Sequence, residues 1–220
     1  MANPVTTAVI LAAGMGSRLK ALGMNNPKGF LKLGEKSIIE ESIELLQESA
    51  ISEIIIVTGY QAEYYQQLQH AYPQLIKIIH NSLFAESGSM YSLSLIRDLV
   101  QEDFLLLESD LIYEQRALSI CQNYPQNNVL LLSGETLAGD EVFVQTDNHN
   151  RLKAMSKDRD ILNNDISVLS NNLLGGSGAI FSNISTSNLS PNPLMSSGVT
   201  AHYLVSLPTA MKPLDLINDI

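Results

Sequence analysis

Short apolar runs alternating with segments of helical period predict an α/β fold, a Rossmann-like, doubly wound, mostly parallel mixed sheet with helices on both faces. Two observations carry this. The runs Thr7 to Ala12, Glu53 to Thr58, Leu75 to His80 and Phe104 to Leu107 are predominantly apolar rather than strictly alternating, as strands covered on both faces require. Each is followed by a segment able to supply a right-handed crossover: Ser37 to Ser49, Ala62 to Ala71, Ser89 to Val100 and Glu114 to Asn123.

In chain order, Thr7 to Ala12 is the first buried strand, and a Gly-containing turn follows it. Ser37 to Ser49 then carries Ile38, Ile39, Ile43, Leu45 and Leu46 with charges between them, the pattern of an amphipathic helix. Gly59 stops the second strand, and Ala62 to Ala71 reads as a polar amphipathic helix ending before Pro73. Beyond the fourth strand, Asn128 to Ser133 is a further strand, and Glu141 to Thr146 with Arg151 to Met155 form a hairpin around Asp147-Asn148. From Asn163 to Ser197, Ser and Asn make up close to half of the residues, and no element is predicted. Val199 to Ser206 is the last strand candidate.

At 220 residues, with 45% apolar and 16% charged residues, the chain suits one globular domain over residues 1–220. Its apolar runs are too short to span a bilayer, and the first residues lack the features of a secretory leader, so a cytoplasmic protein without membrane contact is expected. Cys121 is the single cysteine, with no partner for a disulfide and no metal-ligand spacing around it. A formal charge of −10 argues against nucleic acid as a partner. Yet Arg18, Lys20, Lys28 and Lys32 crowd one short stretch, which marks a local anion site.

In a parallel sheet, ligands gather beyond the carboxyl ends of the strands. Directly after the first strand comes Leu11-Ala12-Ala13-Gly14-Met15-Gly16-Ser17-Arg18-Leu19, whose small residues let backbone amides approach phosphate oxygens. It lacks the third glycine of the dinucleotide fingerprint and the Gly-Lys-Ser/Thr of the Walker loop. Pro27-Lys28-Gly29-Phe30-Leu31, then Gly34 and the helix from Ser37, follow at short distance. Asp110 stands after the fourth strand at the same expected rim, where metal ligation and capping of the next helix are both open to it. Glu108 lies two residues earlier, on the same side of an extended segment.

Together the first two segments resemble the signature of the sugar-nucleotide pyrophosphorylase and cytidylyltransferase superfamily. Within it, the chain looks most like the small cytidylyltransferases acting on phosphocholine or 2-aminoethylphosphonate. The further matches are Ile54-Ile55-Ile56-Val57-Thr58-Gly59-Tyr60, Asn81 with Ser87-Gly88-Ser89-Met90-Tyr91-Ser92-Leu93, and Leu106-Leu107-Glu108-Ser109-Asp110-Leu111. The resemblance runs from about Ala8 to Lys157. It implies the nucleotide-diphospho-sugar transferase type of fold, and Mg²⁺-dependent transfer of CMP from CTP to a small phosphate or phosphonate acceptor, with release of pyrophosphate. By the same resemblance, the segment from Leu11 through Ala12, Ala13, Gly14 and Met15 to Gly16 holds the triphosphate with Arg18. Lys28 bridges the α-phosphate, Lys157 faces the reacting phosphates, and Ser87, Gly88 and Ser89 lie against the nucleoside. Asp110 is the implied metal ligand, and Glu108, Tyr113, Asp140 and Glu141 are candidates for an ammonium-bearing acceptor.

One departure stands out. Relatives carry a second metal-binding aspartate in a late acidic strand, and the contexts of Asp215 and Asp219 do not reproduce it. Residues 163–220 are therefore expected to be a divergent or truncated acceptor-side region. A sugar-1-phosphate nucleotidyltransferase and a nucleotide-binding module without catalysis remain as alternatives. The choice of acceptor and the question of a homodimer stay open.

Overall fold

The computed structural model describes residues 5–16, 26–125, 128–132, 142–147, 149, 151–163, 173–176, 179–182 and 203–206. The expected parallel strands are present as β1 (Thr7–Ala12), β4 (Glu53–Thr58), β5 (Ile76–His80) and β6 (Phe104–Glu108). Between β1 and β4 lie the short hairpin strands β2 (Lys32–Leu33) and β3 (Lys36–Ser37) and the helix α1 (Ile38–Glu48). Then come α2 (Ala62–Ala71), α3 (Ser89–Ser94) and α4 (Gln115–Asn123), followed by β7 (Val129–Leu132), β8 (Val142–Thr146), β9 (Leu152–Ser156), α5 (Arg159–Asn163), β10 (Leu173–Gly176), β11 (Ala179–Ser182) and β12 (Tyr203–Ser206). None of the helices among the described residues is long and apolar enough to cross a membrane.

The main sheet has seven strands in the order β12-β7-β11-β6-β1-β4-β5. Only β11 runs antiparallel to its neighbours, β6 and β7. The period of two along each strand sorts the core into two faces. Ala8, Ile10, Ile54, Ile56, Leu105 and Leu107 pack under Ile39, Ile43 and Leu46 of α1, Tyr65 and Leu68 of α2, and Leu118 and Cys121 of α4. Val9, Leu11, Ile55, Val57, Phe104 and Leu106 face Leu93 and Ile96 on the other side. Each such side chain, fully buried, contributes about 1.5–3 kcal/mol. Cys121 is thus a core residue, and burial pushes its thiol up to about 12.

Register brings the strand ends level, since Leu11 pairs with Glu108 on one side, Ala12 with Thr58 on the other, and Thr58 with His80 beyond. Helix α1 starts where the sequence places it because Ser37 and Glu40 form a reciprocal capping box. Helix α3 is shorter than Ser89 to Val100. The Ser94 hydroxyl donates to the Tyr91 carbonyl at 2.7 Å, and beyond it the chain tightens into turns such as Ile96 N–H to Leu93 O at 3.2 Å.

The expected hairpin is present as β8 and β9, which pair antiparallel and form a separate three-stranded sheet with β10. One further result differs from the sequence reading. The Ser/Asn-rich stretch, for which no element is predicted, supplies β10 and β11, because pairing with distant strands rather than local pattern decides their conformation.

The turn between β8 and β9 depends on Asp147, whose carboxylate accepts the His149 and Arg151 N–H groups at 2.9 and 3.0 Å and the Arg151 side chain at 2.8 Å. The backbone N–H of Arg151, then that of His149, holds this carboxyl down at about 2. A depressed acid stabilises the fold above its unfolded value of 3.8 and loses that contribution as pH falls toward 2. Asp147→Ala should therefore speed amide hydrogen exchange across β8 and β9 at neutral pH. The difference from the parent chain should shrink on acidification through that window.

Candidate active site

Beyond the level ends of β1 and β6 lies a pocket lined by Leu11, Ala12, Gly14, Gly16, Lys28, Tyr65, Glu108, Ser109 and Asp110. Its volume is about 210 Å³.

Each wall has a local cause. Strand β1 ends in small residues, and Gly16 takes φ +64°, where a Cβ would approach the Lys28 side chain to 3.2 Å. Pro27 fixes an extended entry, after which Lys28–Phe30 make a single 3-10 turn closed by Phe30 N–H to Pro27 O at 2.9 Å. Gly29 in that turn is buried, and a Cβ there would stand 2.8 Å from the Ser109 carbonyl oxygen. On the far wall, the Ser109 N–H donates to Leu11 O at 3.0 Å and so carries the β1–β6 pairing one residue past the strand.

Charge is concentrated where these walls meet. Lys28 Nζ donates to Asp110 Oδ2 at 3.1 Å, with side chains 30% and 38% exposed. A pair this open adds about 1 kcal/mol or less to stability. Its significance is positional, for it sets a cation and a carboxylate side by side across the pocket. Glu108 shares the pocket, and its carboxyl is pushed up to about 7, first by loss of hydration against the protein wall and then by the Asp110 charge, with Lys28 opposing. Water still reaches Glu108 at the mouth.

The structure thus brings together Leu11, Ala12, Gly14, Gly16, Lys28, Glu108 and Asp110 of the sequence candidates. Asp110 does not cap the next helix, since α4 begins at Gln115 with Glu114 in the N-cap position. Ala13 is buried behind the loop and accepts the Tyr60 N–H, while the Met15 side chain points outward, 47% exposed. Ser87, Gly88 and Ser89 occupy the loop after β5 and the start of α3, on the same edge of the sheet but outside the pocket lining. Lys157 is exposed just after β9 and does not line the pocket. Tyr113 turns inward, its hydroxyl 2.6 Å from Ser42 Oγ and its ring against the core, and so lies away from the pocket. Arg18, Asp140 and Glu141 fall outside the described residues.

Sequence reasoning gave no role to two contributors. Asn81, 1% exposed, donates to both Ser87 Oγ and Ser92 Oγ at 3.0 Å and accepts the Leu83 N–H at 2.9 Å, which fixes the Ser87 loop. Tyr65, on a helix that reads as merely polar and amphipathic, reaches the pocket floor; the amphipathic pattern puts it on the buried face but does not reveal where its hydroxyl ends.

The model of the MobA-like NTP transferase domain matches residues 8–166. The chain belongs to that family. Among curated MobA-like relatives, the choline-phosphate cytidylyltransferase of Streptococcus pneumoniae strain R6 is 34% identical over 99 residues, 45% of this chain and 42% of that protein. The 2-aminoethylphosphonate cytidylyltransferase of Lancefieldella rimae is 28% identical over 142 residues, 63% of this chain and 56% of that protein. The chain therefore spans about half the length of the curated relatives it matches. In fold it is similar to the solved CTP:phosphocholine cytidylyltransferase from Streptococcus pneumoniae, with TM-score 0.69 at 19% identity, covering 94% of this chain and 91% of that one.

Gly29 gives a direct check of the pocket wall. Gly29→Ala forces backbone against backbone, so the urea unfolding midpoint should fall by the equivalent of about 1–3 kcal/mol. An unchanged midpoint would mean that the Lys28 turn and the Ser109 turn are not in contact.

Proposed function

We propose that this domain transfers CMP from CTP to a small phosphorylated or phosphonylated acceptor of the phosphocholine or 2-aminoethylphosphonate type, releasing pyrophosphate. The observation that carries the reading is the Lys28–Asp110 pair placed across the mouth of a small-residue loop at the end of β1. The cytidylyltransferase relatives support the choice of nucleotide and of acceptor class.

The donor set fits Mg²⁺. Among the described residues, no group of three or more His, Cys, Asp or Glu side chains could hold a metal. Mg²⁺, however, commonly binds through one or two carboxylates, with substrate phosphates and water completing the octahedron. Asp110 would hold it, with Glu108 beside. When bound, the ion would neutralise charge on the triphosphate and on the departing pyrophosphate.

The chain's own residues do the rest. The backbone at Gly14 and Gly16, which line the pocket, would meet phosphate oxygens, and Lys28 would leave Asp110 to meet the α-phosphate. Arg18 and Lys157 would add further cations. An acceptor oxygen, already ionised near neutral pH, would attack the α-phosphorus in line with the leaving pyrophosphate, so no general base is needed. The Ser87 to Ser89 loop, braced by Asn81, would receive the nucleoside along the rim.

Pyrophosphate release measured with CTP, UTP, GTP and dTTP against phosphocholine, 2-aminoethylphosphonate and sugar 1-phosphates tests the assignment. Turnover should be confined to CTP with a phosphate- or phosphonate-bearing amine. Preference for a sugar 1-phosphate would replace this reading, and saturable nucleotide binding without turnover would point to a non-catalytic module. Lys28→Ala should lower kcat by roughly two orders of magnitude, the loss of one preorganised donor. Asp110→Asn should abolish the response to added Mg²⁺.

A further inference from the structure

Three segments far apart in the chain meet at one hydroxyl. Tyr65, on α2, is 1% exposed, yet its side chain lines the floor of the pocket. Its hydroxyl sits where two turns meet: a Cβ at Gly29, on the turn that carries Lys28, would stand 3.2 Å from that oxygen and 2.8 Å from the carbonyl of Ser109, on the turn that carries Asp110. The ring is held independently of the hydroxyl. Phe30 meets it edge-on with centroids 5.1 Å apart, and Phe30 also packs on Tyr64, whose own hydroxyl donates to Asn26 Oδ1 at 3.0 Å.

Accepting the nucleotidyltransferase reading above, we propose that Tyr65 is a positioning residue for the reaction: its hydroxyl, seated where the Lys28 turn meets the Ser109 turn, sets the spacing between Lys28 and Asp110. Packing supports this division of labour. The ring needs only apolar neighbours, which Phe30 and the core supply, so stability alone does not call for an oxygen at this depth. A buried hydroxyl is costly unless it meets polar groups, and here it lines one pocket with Ser109, the residue next to Asp110. Burial pushes the phenol up to about 12, so it remains protonated and neutral beside the phosphate site at any working pH.

Tyr65→Phe keeps the ring and removes the oxygen, while Ser109→Ala removes the hydroxyl of the residue next to Asp110. With Mg²⁺, CTP and the acceptor that the parent chain uses, each variant should show kcat lowered about five- to tenfold, the scale of one lost polar interaction. KM for CTP should change less than kcat, and more Mg²⁺ should be needed for half-maximal rate. The double variant should be no slower than either single one, because both act on the same junction. Without nucleotide, the Lys28 side-chain ¹⁵N–¹H NMR signal should report a held ion pair in the parent chain and a looser one in Tyr65→Phe. A Tyr65→Phe protein with parental kcat, Mg²⁺ response and Lys28 signal overturns the proposal, as do defects that multiply in the double variant. Should the parent chain neither bind nor turn over any nucleotide, the proposed function fails, and the Lys28 signal still decides whether Tyr65 positions the pair.

Discussion

A lysine and an aspartate 82 positions apart in sequence meet at 3.1 Å, and the design of the pocket follows from holding them there. Neither side chain is buried enough for the contact to stabilise the fold much. What fixes it is the backbone beneath. The Lys28 turn is seated on Gly29 against the Ser109 carbonyl, and the Ser109 turn is tied to β1 through Leu11. A cation and a carboxylate presented this way, without a ligand, neutralise each other. A polyphosphate with a divalent ion would satisfy both at once, which couples the binding of the two.

The charge distribution of the chain follows the same logic. With a formal charge of −10, the molecule as a whole repels anions. Attraction for a phosphate therefore has to be local and short-ranged, built from oriented backbone and a few cations at one rim. Glu108 marks the opposite tendency, a carboxyl pushed up to about 7 first by loss of hydration and then by the charge of Asp110 nearby. A cation entering between them would relieve that repulsion.

Much of this was legible in the residues. The largely apolar runs gave β1, β4, β5 and β6 to within a residue; β1, β4 and β6 are almost wholly buried, whereas β5, at the sheet edge, exposes Lys77 and His80. The small-residue loop, Lys28 and Asp110 could be named from their places relative to those strands. What escaped was non-local. Tyr65 looks like any aromatic on a helix until α2 is laid against the Lys28 turn, and Asn81 acquires its role only when the loop folds back upon it. Strands β10 and β11 escaped for a related reason. Their short segments carry little intrinsic preference and take their conformation from partners elsewhere in the chain.

The antiparallel insertion of β11 has a temporal consequence. Strand β6, whose end carries Glu108 and leads into Asp110, is flanked by β1 on one side and on the other by β11, through Phe181 opposite Leu106. A growing polypeptide emerges at about 5–20 residues per second. During synthesis, the strand bearing the acidic wall must therefore wait several seconds with one side unpaired, an interval in which it can template intermolecular pairing. Strand β11 closes the sheet beside a strand made earlier, so the second edge of β6 is paired only once translation has passed Ser182.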